Sequence, residues 1–291
     1  MEMTTFEWRT RDGRRVYAAE WRPGGGKAAR GVVGIVHGFG EHSGSYRHVA
    51  DFYVREGFAI LAFDQLGHGR SDGRRGDSRT YDELLDNVGL LVGEMRERYP
   101  EKPHFLYGHS MGGNLTLNFL LRRRPALTGA VVASPWLRLA LTVRHVASRL
   151  GISARMLLNR RLDVNPLEAS FATSDAAMLE RMERDPLRHK KITARFFRHM
   201  HRAGRWALDH AGSLEVPLLL MHGGNDRLTS RAASREFAQR AGEWCDYREW
   251  PGFKHELHTE LGRNNVLAYA LDWMNGRLCR CCIRSSPEPD S

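Results

Sequence analysis

Short apolar runs recur along the chain and alternate with longer stretches of helical spacing. Gly31 to Val36, Phe58 to Phe63, Pro103 to Tyr107, Gly129 to Ala133 and Val216 to Met221 are five or six residues long, and the first of them is rich in β-branched side chains. That is the pattern of strands buried on both faces. Phe6 to Trp21 alternates instead and contains Arg11-Asp12-Gly13-Arg14, which predicts a hairpin; Cys245 to Trp250 predicts a last strand. Helical spacing appears in Tyr46 to Glu56, stopped by Gly57, and in Tyr81 to Tyr99, stopped by Pro100. It returns in Asn114 to Leu121, Ser230 to Ala241 and about His258 to Met274. Strands joined by helices rather than by tight turns predict an α/β fold: a mostly parallel central sheet with helices on both faces. In such sheets the functional loops lie beyond the carboxyl ends of the strands.

From Leu137 to about Arg205 the strand pattern stops. Leu139 to Leu150, Asp175 to Arg184 and Thr193 to Leu208 read as helices. The predicted organisation is therefore a core of residues 1–137 and 206–291, with a helical cap, 138–205, inserted over the sheet. About the last 15 residues, polar and rich in proline and serine, predict a disordered tail.

Charge sharpens this division. The 291-residue chain carries a net charge of +10, and residues 138–210 hold 15 Lys and Arg against 7 Asp and Glu. The basic excess thus sits in the cap, where it can meet an anionic membrane surface. No nucleic-acid recognition motif accompanies it, so nucleic acid is not the expected partner. No apolar run approaches the ~20 residues needed to span a bilayer. The first residues, Met1-Glu-Met-Thr-Thr-Phe6, lack the basic and apolar regions of a signal peptide. The expected location is cytoplasmic, with possible peripheral contact with membrane. Cys245 falls in a strand, where packing explains it; Cys279, Cys281 and Cys282 crowd the tail, and the four cysteines do not suggest a disulfide framework.

The candidate chemistry centres on Gly108-His109-Ser110-Met111-Gly112-Gly113, at a strand-to-helix junction. A serine with glycines at minus two and plus two there is a nucleophile elbow, whose strained turn holds the hydroxyl clear of the sheet. A serine needs a base, and the base an orienting carboxylate. Asp226 follows the strand Val216 to Met221 and His255 follows the last strand, giving the order Ser110, Asp226, His255 on carboxyl-end loops of one sheet. The oxyanion donors expected are the backbone N–H groups of Met111 and of Phe39, in the loop His37-Gly38-Phe39-Gly40. No metal or nucleotide cofactor is implied. His37 to His42 misses the spacing H-x-x-E-H by one residue, and Gly67, Gly69 and Gly73 miss G-x-G-x-x-G by one.

His37 to Gly44, Asp64 to Gly73, Gly108 to Gly113, Asn225 to Arg227 and His255-Glu-Leu-His258 together resemble the monoglyceride lipase and lysophospholipase branch of the serine α/β-hydrolases. The resemblance covers about residues 6–275. It implies an α/β-hydrolase fold, a cap roofing an acyl-chain tunnel, and ester hydrolysis through an acyl-enzyme on Ser110. Glu41 and His258 match the family's polar positions at the glycerol end. The implied substrate is a small lipid ester, a monoacylglycerol or lysophospholipid. Alternatives on the same scaffold are an aminopeptidase, a carbon–carbon hydrolase, or a non-catalytic binding protein.

Overall fold

The computed structural model describes residues 1–140, 161–163 and 169–283. Its frame is one eight-stranded sheet in the order β1-β2-β4-β3-β5-β6-β9-β10. The strands are β1 (Glu2–Arg9), β2 (Arg15–Arg22), β3 (Gly31–Val36), β4 (Phe58–Phe63), β5 (His104–His109), β6 (Gly129–Ala133), β9 (Leu218–Gly223) and β10 (Cys245–Trp250). Within this sheet, among the described residues, only β1 against β2 and β2 against β4 pair antiparallel. The pairs from β4 through β3, β5, β6 and β9 to β10 are parallel.

The continuous apolar runs have a two-sided task. Val32 and Val36 of β3 point into one core while Val33 and Ile35 point into the other, as a period of two requires. The first core packs under α2 (Asp82–Arg98), α3 (Met111–Arg123), α5 (Ala194–Asp209) and α6 (Arg231–Ala241). The second packs under α1 (Arg47–Arg55) and α7 (Arg263–Ile283). Every residue of β3, β4, β5 and β9 is buried, whereas β10, at the sheet edge, is half-exposed.

The region predicted as a helical cap holds α4 (Ala176–Arg184), begun by Asp175, whose carboxylate accepts the N–H groups of Ala177 and Met178. It also holds a strand pair that the hydrophobic pattern does not reveal: β7 (Arg161–Asp163) runs antiparallel to β8 (Lys191–Thr193). Three residues are too few to display a period of two. The helix predicted from Leu139 to Leu150 lies almost wholly outside the described residues. At the far end of the region, α5 is seated on α3. Asn114 Nδ2 donates to the carbonyls of Trp136 and Met200, and Asn118 Nδ2 to those of Asn114 and Ala203. At the chain end, α7 runs to Ile283, into the stretch predicted as a disordered tail. The Cys245 thiol is pushed up to about 12 by burial, so it stays protonated and packs as a small apolar group.

Candidate active site

The elbow forms where β5 runs into α3. Ser110 has φ 53° and ψ −113°, a conformation that costs a non-glycine residue roughly 1–3 kcal/mol. Three hydrogen bonds over-determine it. Its N–H donates to Ala133 O at 3.0 Å, and its carbonyl accepts the N–H groups of Asn114 and Trp136, each at 2.9 Å. The flanking glycines are required by close approach. A Cβ on Gly112 would lie 1.9 Å from Val36 O and 2.5 Å from His37 O, and one on Gly108 2.4 Å from Thr116 Oγ1. The first turn of α3 can therefore press against the end of β3, which brings Met111 beside the His37–Gly40 loop. Met111 opens the helix, where a backbone N–H has no partner within the helix. Among the described residues, no acceptor meets the N–H of either Met111 or Phe39.

The structure brings the three sequence-predicted groups into one hydrogen-bonded line. Ser110 Oγ lies 2.9 Å from His255 Nε2, and His255 Nδ1 lies 2.8 Å from Asp226 Oδ2. With Nδ1–H donating to the carboxylate, Nε2 is left to accept from the serine. Burial alone would raise the Asp226 carboxyl, but His255, with His222 beside it, holds it far below the usual carboxylate range. Burial likewise disfavours the charged form of His255, and the Asp226 carboxylate outweighs it, so the imidazole is raised above its ordinary value. Each partner thus favours the other's ion, the electrostatics of a base about to receive a proton.

Asp226 is held by groups that sequence reasoning missed. Its Oδ1 accepts the N–H groups of Leu228 (2.7 Å) and Thr229 (3.0 Å), and its Oδ2 accepts Thr229 Oγ1–H at 2.7 Å. His222 Nε2 lies 3.0 Å from the same oxygen, with its Nδ1 2.8 Å from Ser234 Oγ. The signal was present: His222 stands four residues before Asp226, at the end of the same strand.

Glu41 and His258 also come to this end of the sheet, and both are buried. Glu41 Oε2 accepts the Gly38 N–H (2.8 Å) and Tyr46 OH (2.7 Å). The His258 ring stacks on Tyr46 and on His48, at centroid distances of 4.7 and 5.7 Å, and among the described residues neither ring nitrogen has a hydrogen-bond partner. Glu41, His109 and Glu256 hold ligand atoms within 4.8 Å of one another. Any metal there would have to displace Arg188, whose Nη2 already lies 3.1 Å from Glu256 Oε1 and 3.5 Å from Glu41 Oε1.

The family model described as Hydrolase_4, serine aminopeptidase S33, matches residues 27–262. The chain belongs to this family. Among relatives of this S33 hydrolase, a monoacylglycerol lipase of Mycolicibacterium smegmatis is 31% identical over 254 residues, 86% of this chain and 89% of the relative. An uncharacterized abhydrolase domain-containing protein of Dictyostelium discoideum is 32% identical over 252 residues, 85% of this chain; the match spans only 26% of that longer relative. The crystal structure of the Paleococcus ferrophilus monoacylglycerol lipase superposes with a TM-score of 0.78 at 25% identity, covering 90% of this chain and 99% of that one. The S33 hydrolase is thus an α/β-hydrolase. Among its described residues no helix is long and apolar enough to cross a membrane.

Proposed function

We propose that this protein hydrolyses the carboxylic ester of monoacylglycerols, releasing fatty acid and glycerol through an acyl-enzyme on Ser110. The observation that carries the reading is the Ser110–His255–Asp226 hydrogen-bonded line on a strained elbow. Ser110 Oγ attacks the ester carbonyl carbon while its proton passes to His255 Nε2. The carbonyl oxygen becomes an oxyanion between the N–H groups of Phe39 and Met111. Collapse breaks the bond to the glycerol oxygen, which takes the proton from His255. A water molecule then gives its proton to His255 and attacks the acyl carbon; the bond from that carbon to Ser110 Oγ breaks, Ser110 takes the proton from His255, and the acid is freed. Glu41 and His258 serve the alcohol end, where the His258 nitrogens, without a partner among the described residues, can bond a hydroxyl.

The acyl side is supported by the aromatic surroundings of the oxyanion loop. Half-buried Phe39 packs on Phe196 at 5.7 Å, and half-buried Phe197 on Trp136 at 5.7 Å. The Mycolicibacterium relative, a monoacylglycerol lipase along nearly its whole length, supports the head group. An aminopeptidase would need a free carboxylate for the substrate's amine. The buried acids next to His255, Glu41 and Glu256, are both engaged by Arg188. We further assign residues 138–205 to a cap over the site, its described part being α4, the β7–β8 pair and most of α5. An ester panel crossing head group with chain length tests the substrate class. Monoacylglycerols are expected to be turned over well above phosphocholine esters and amino-acyl amides, and preferred cleavage of the amides would overturn the reading.

The cap also supports contact with an anionic membrane. Arg198, Arg202 and Arg205 are exposed at i, i+4 and i+7 on α5, with no ion-pair partner among the described residues. Each can contribute about 1 kcal/mol at an anionic surface. The protein is expected to co-sediment with phosphatidylserine vesicles at low salt and to release at high salt. Failure to bind at low salt would end the idea.

A further inference from the structure

Two turns must stay in register for the proposed reaction. One is Gly38–His42, which carries the Phe39 N–H; the other is Lys254–His258, which carries His255. Each contributes a glutamate to the same buried spot, Glu41 being 2% and Glu256 5% exposed. Glu41 fixes its own turn by accepting the Gly38 N–H, one residue ahead of Phe39. Glu256 is the residue after His255, and its N–H is tied to Ala172 O at 2.8 Å.

Arg188 belongs to neither turn. It lies between α4 and β8, and a single nitrogen, Nη2, reaches Glu256 Oε1 at 3.1 Å and Glu41 Oε1 at 3.5 Å. Its neighbours grip the same oxyanion turn. His42 Nε2 lies 2.8 Å from Asp185 Oδ2, and the His189 N–H donates to Gly40 O at 3.0 Å. His189 Nε2 in turn meets Gly67 O at 3.0 Å.

We propose that Arg188 is a positioning residue that clamps the oxyanion turn to the histidine turn, through Glu41 on one and Glu256 on the other. The clamp rests on the roles given above to Ser110, His255 and the Phe39 N–H. Two carboxylates in contact repel in a site that excludes water, and a guanidinium between them turns that repulsion into two attractions. The other titratable groups facing the pair are Tyr46, Tyr107, His109, His255 and His258. Burial, with His255 adding to it, pushes His109 down to about 3, and burial with His109 pushes His258 well below its ordinary value. Both are neutral near pH 7. Arg188 is then the standing cation there, joined by His255 only while it holds a proton. Burial and the Glu41 charge push the Glu256 carboxyl up to about 7. Burial would raise Glu41 too, but Arg188 holds it well below the usual range.

Removal of the guanidinium leaves a pair that can carry one negative charge with ease and two only at high cost. As pH rises and the second carboxyl ionises, the turns are driven apart. Arg188→Met is therefore expected to lower kcat modestly while the pair keeps one proton and about 100-fold at alkaline pH, where both carboxyls ionise, the scale of a 1 Å misplacement, with KM little changed. Its activity is expected to fall as pH rises above 7, where the wild type holds or gains. Arg188→Lys, which keeps a cation, is expected to recover part of kcat. Arg188→Met/Glu256→Gln, which leaves a carboxylate hydrogen-bonded to an amide, is expected to regain activity and lose the alkaline fall. A loss equal at every pH, or a double variant no better than Arg188→Met, would overturn the clamp. Should Arg188→Met not fold, as read by thermal unfolding, the double variant is compared with Glu256→Gln alone. Similar kcat supports the clamp, and a large further deficit overturns it. Fluorophosphonate labelling of wild-type Ser110 is read first. Absence of labelling overturns the functional reading itself, whereas labelling with an unaltered pH profile in Arg188→Met overturns the clamp alone.

Discussion

Ser110→Ala is expected to abolish both ester turnover and covalent labelling by a fluorophosphonate, with little change in the unfolding temperature. The loss in kcat should approach 10⁶-fold on the order-of-magnitude scale of other serine hydrolases. A residual rate of roughly 10³–10⁴ over water would persist from the oxyanion hole and binding. The fold should survive for a local reason. Alanine keeps the Cβ, so the backbone strain at φ 53° is unchanged, and the backbone bonds to Ala133, Asn114 and Trp136 remain. What disappears is one hydrogen bond to His255, a matter of about 1 kcal/mol. Intact-mass detection of the labelled protein reads the result. Labelling that persists in the variant would place the nucleophile elsewhere.

Asp226→Asn is expected to cost about 10⁴-fold in kcat with KM little affected. An asparagine could keep its oxygen on the N–H groups of Leu228 and Thr229, which now meet Oδ1. Its amide would then face His255 Nδ1 as a donor. The imidazole would have to accept there and carry its proton on Nε2, toward Ser110, which is the wrong tautomer for a base. The lost charge adds to this, because the carboxylate is what raises His255 above its ordinary value. Stopped or steady-state ester assays beside a circular dichroism spectrum would separate chemistry from folding. A loss of tenfold or less would show that another carboxylate orients His255.

Much of this arrangement was legible in the chain because it is written locally. Buried strands declare themselves as apolar runs; Phe39, Ser110 and Asp226 each follow such a run within a few residues, and His255 follows the half-exposed last strand. A sheet with parallel strands then gathers the loops without any knowledge of long-range contacts. What escaped detection depends on those contacts. Arg188 meets Glu41 across 147 positions, and nothing around Leu187-Arg188-His189 distinguishes that arginine from its many neighbours. The β7–β8 pair is too short to show its period. Glu41 was legible as a polar group of the loop, but not that Gly38 and Tyr46 engage it from within. Thr229 was hidden differently: three residues from Asp226 in an ordinary turn, it looks like a turn former and gains meaning only from where its hydroxyl points.

The seat of α5 on the nucleophile helix bears on how this protein can be recombined with its relatives. The proposed cap, exchanged as one block from 138 to 205, would cut through a helix whose carbonyls are bolted to α3 by Asn114 and Asn118. A Cβ at Gly204 would lie 2.3 Å from Leu137 O, and Arg122 stacks on Trp206 at 3.6 Å. Donor sequence there would have to match the host's glycine, tryptophan and asparagines to seat at all. Thr193 is the better seam. It closes β8 and caps α5, accepting the Phe196 N–H. Its own N–H and hydroxyl are pinned to Gly76 and Asp77 of the host. A graft joined there would exchange the segment before α5 and leave the support of the proposed nucleophile, Ser110, native.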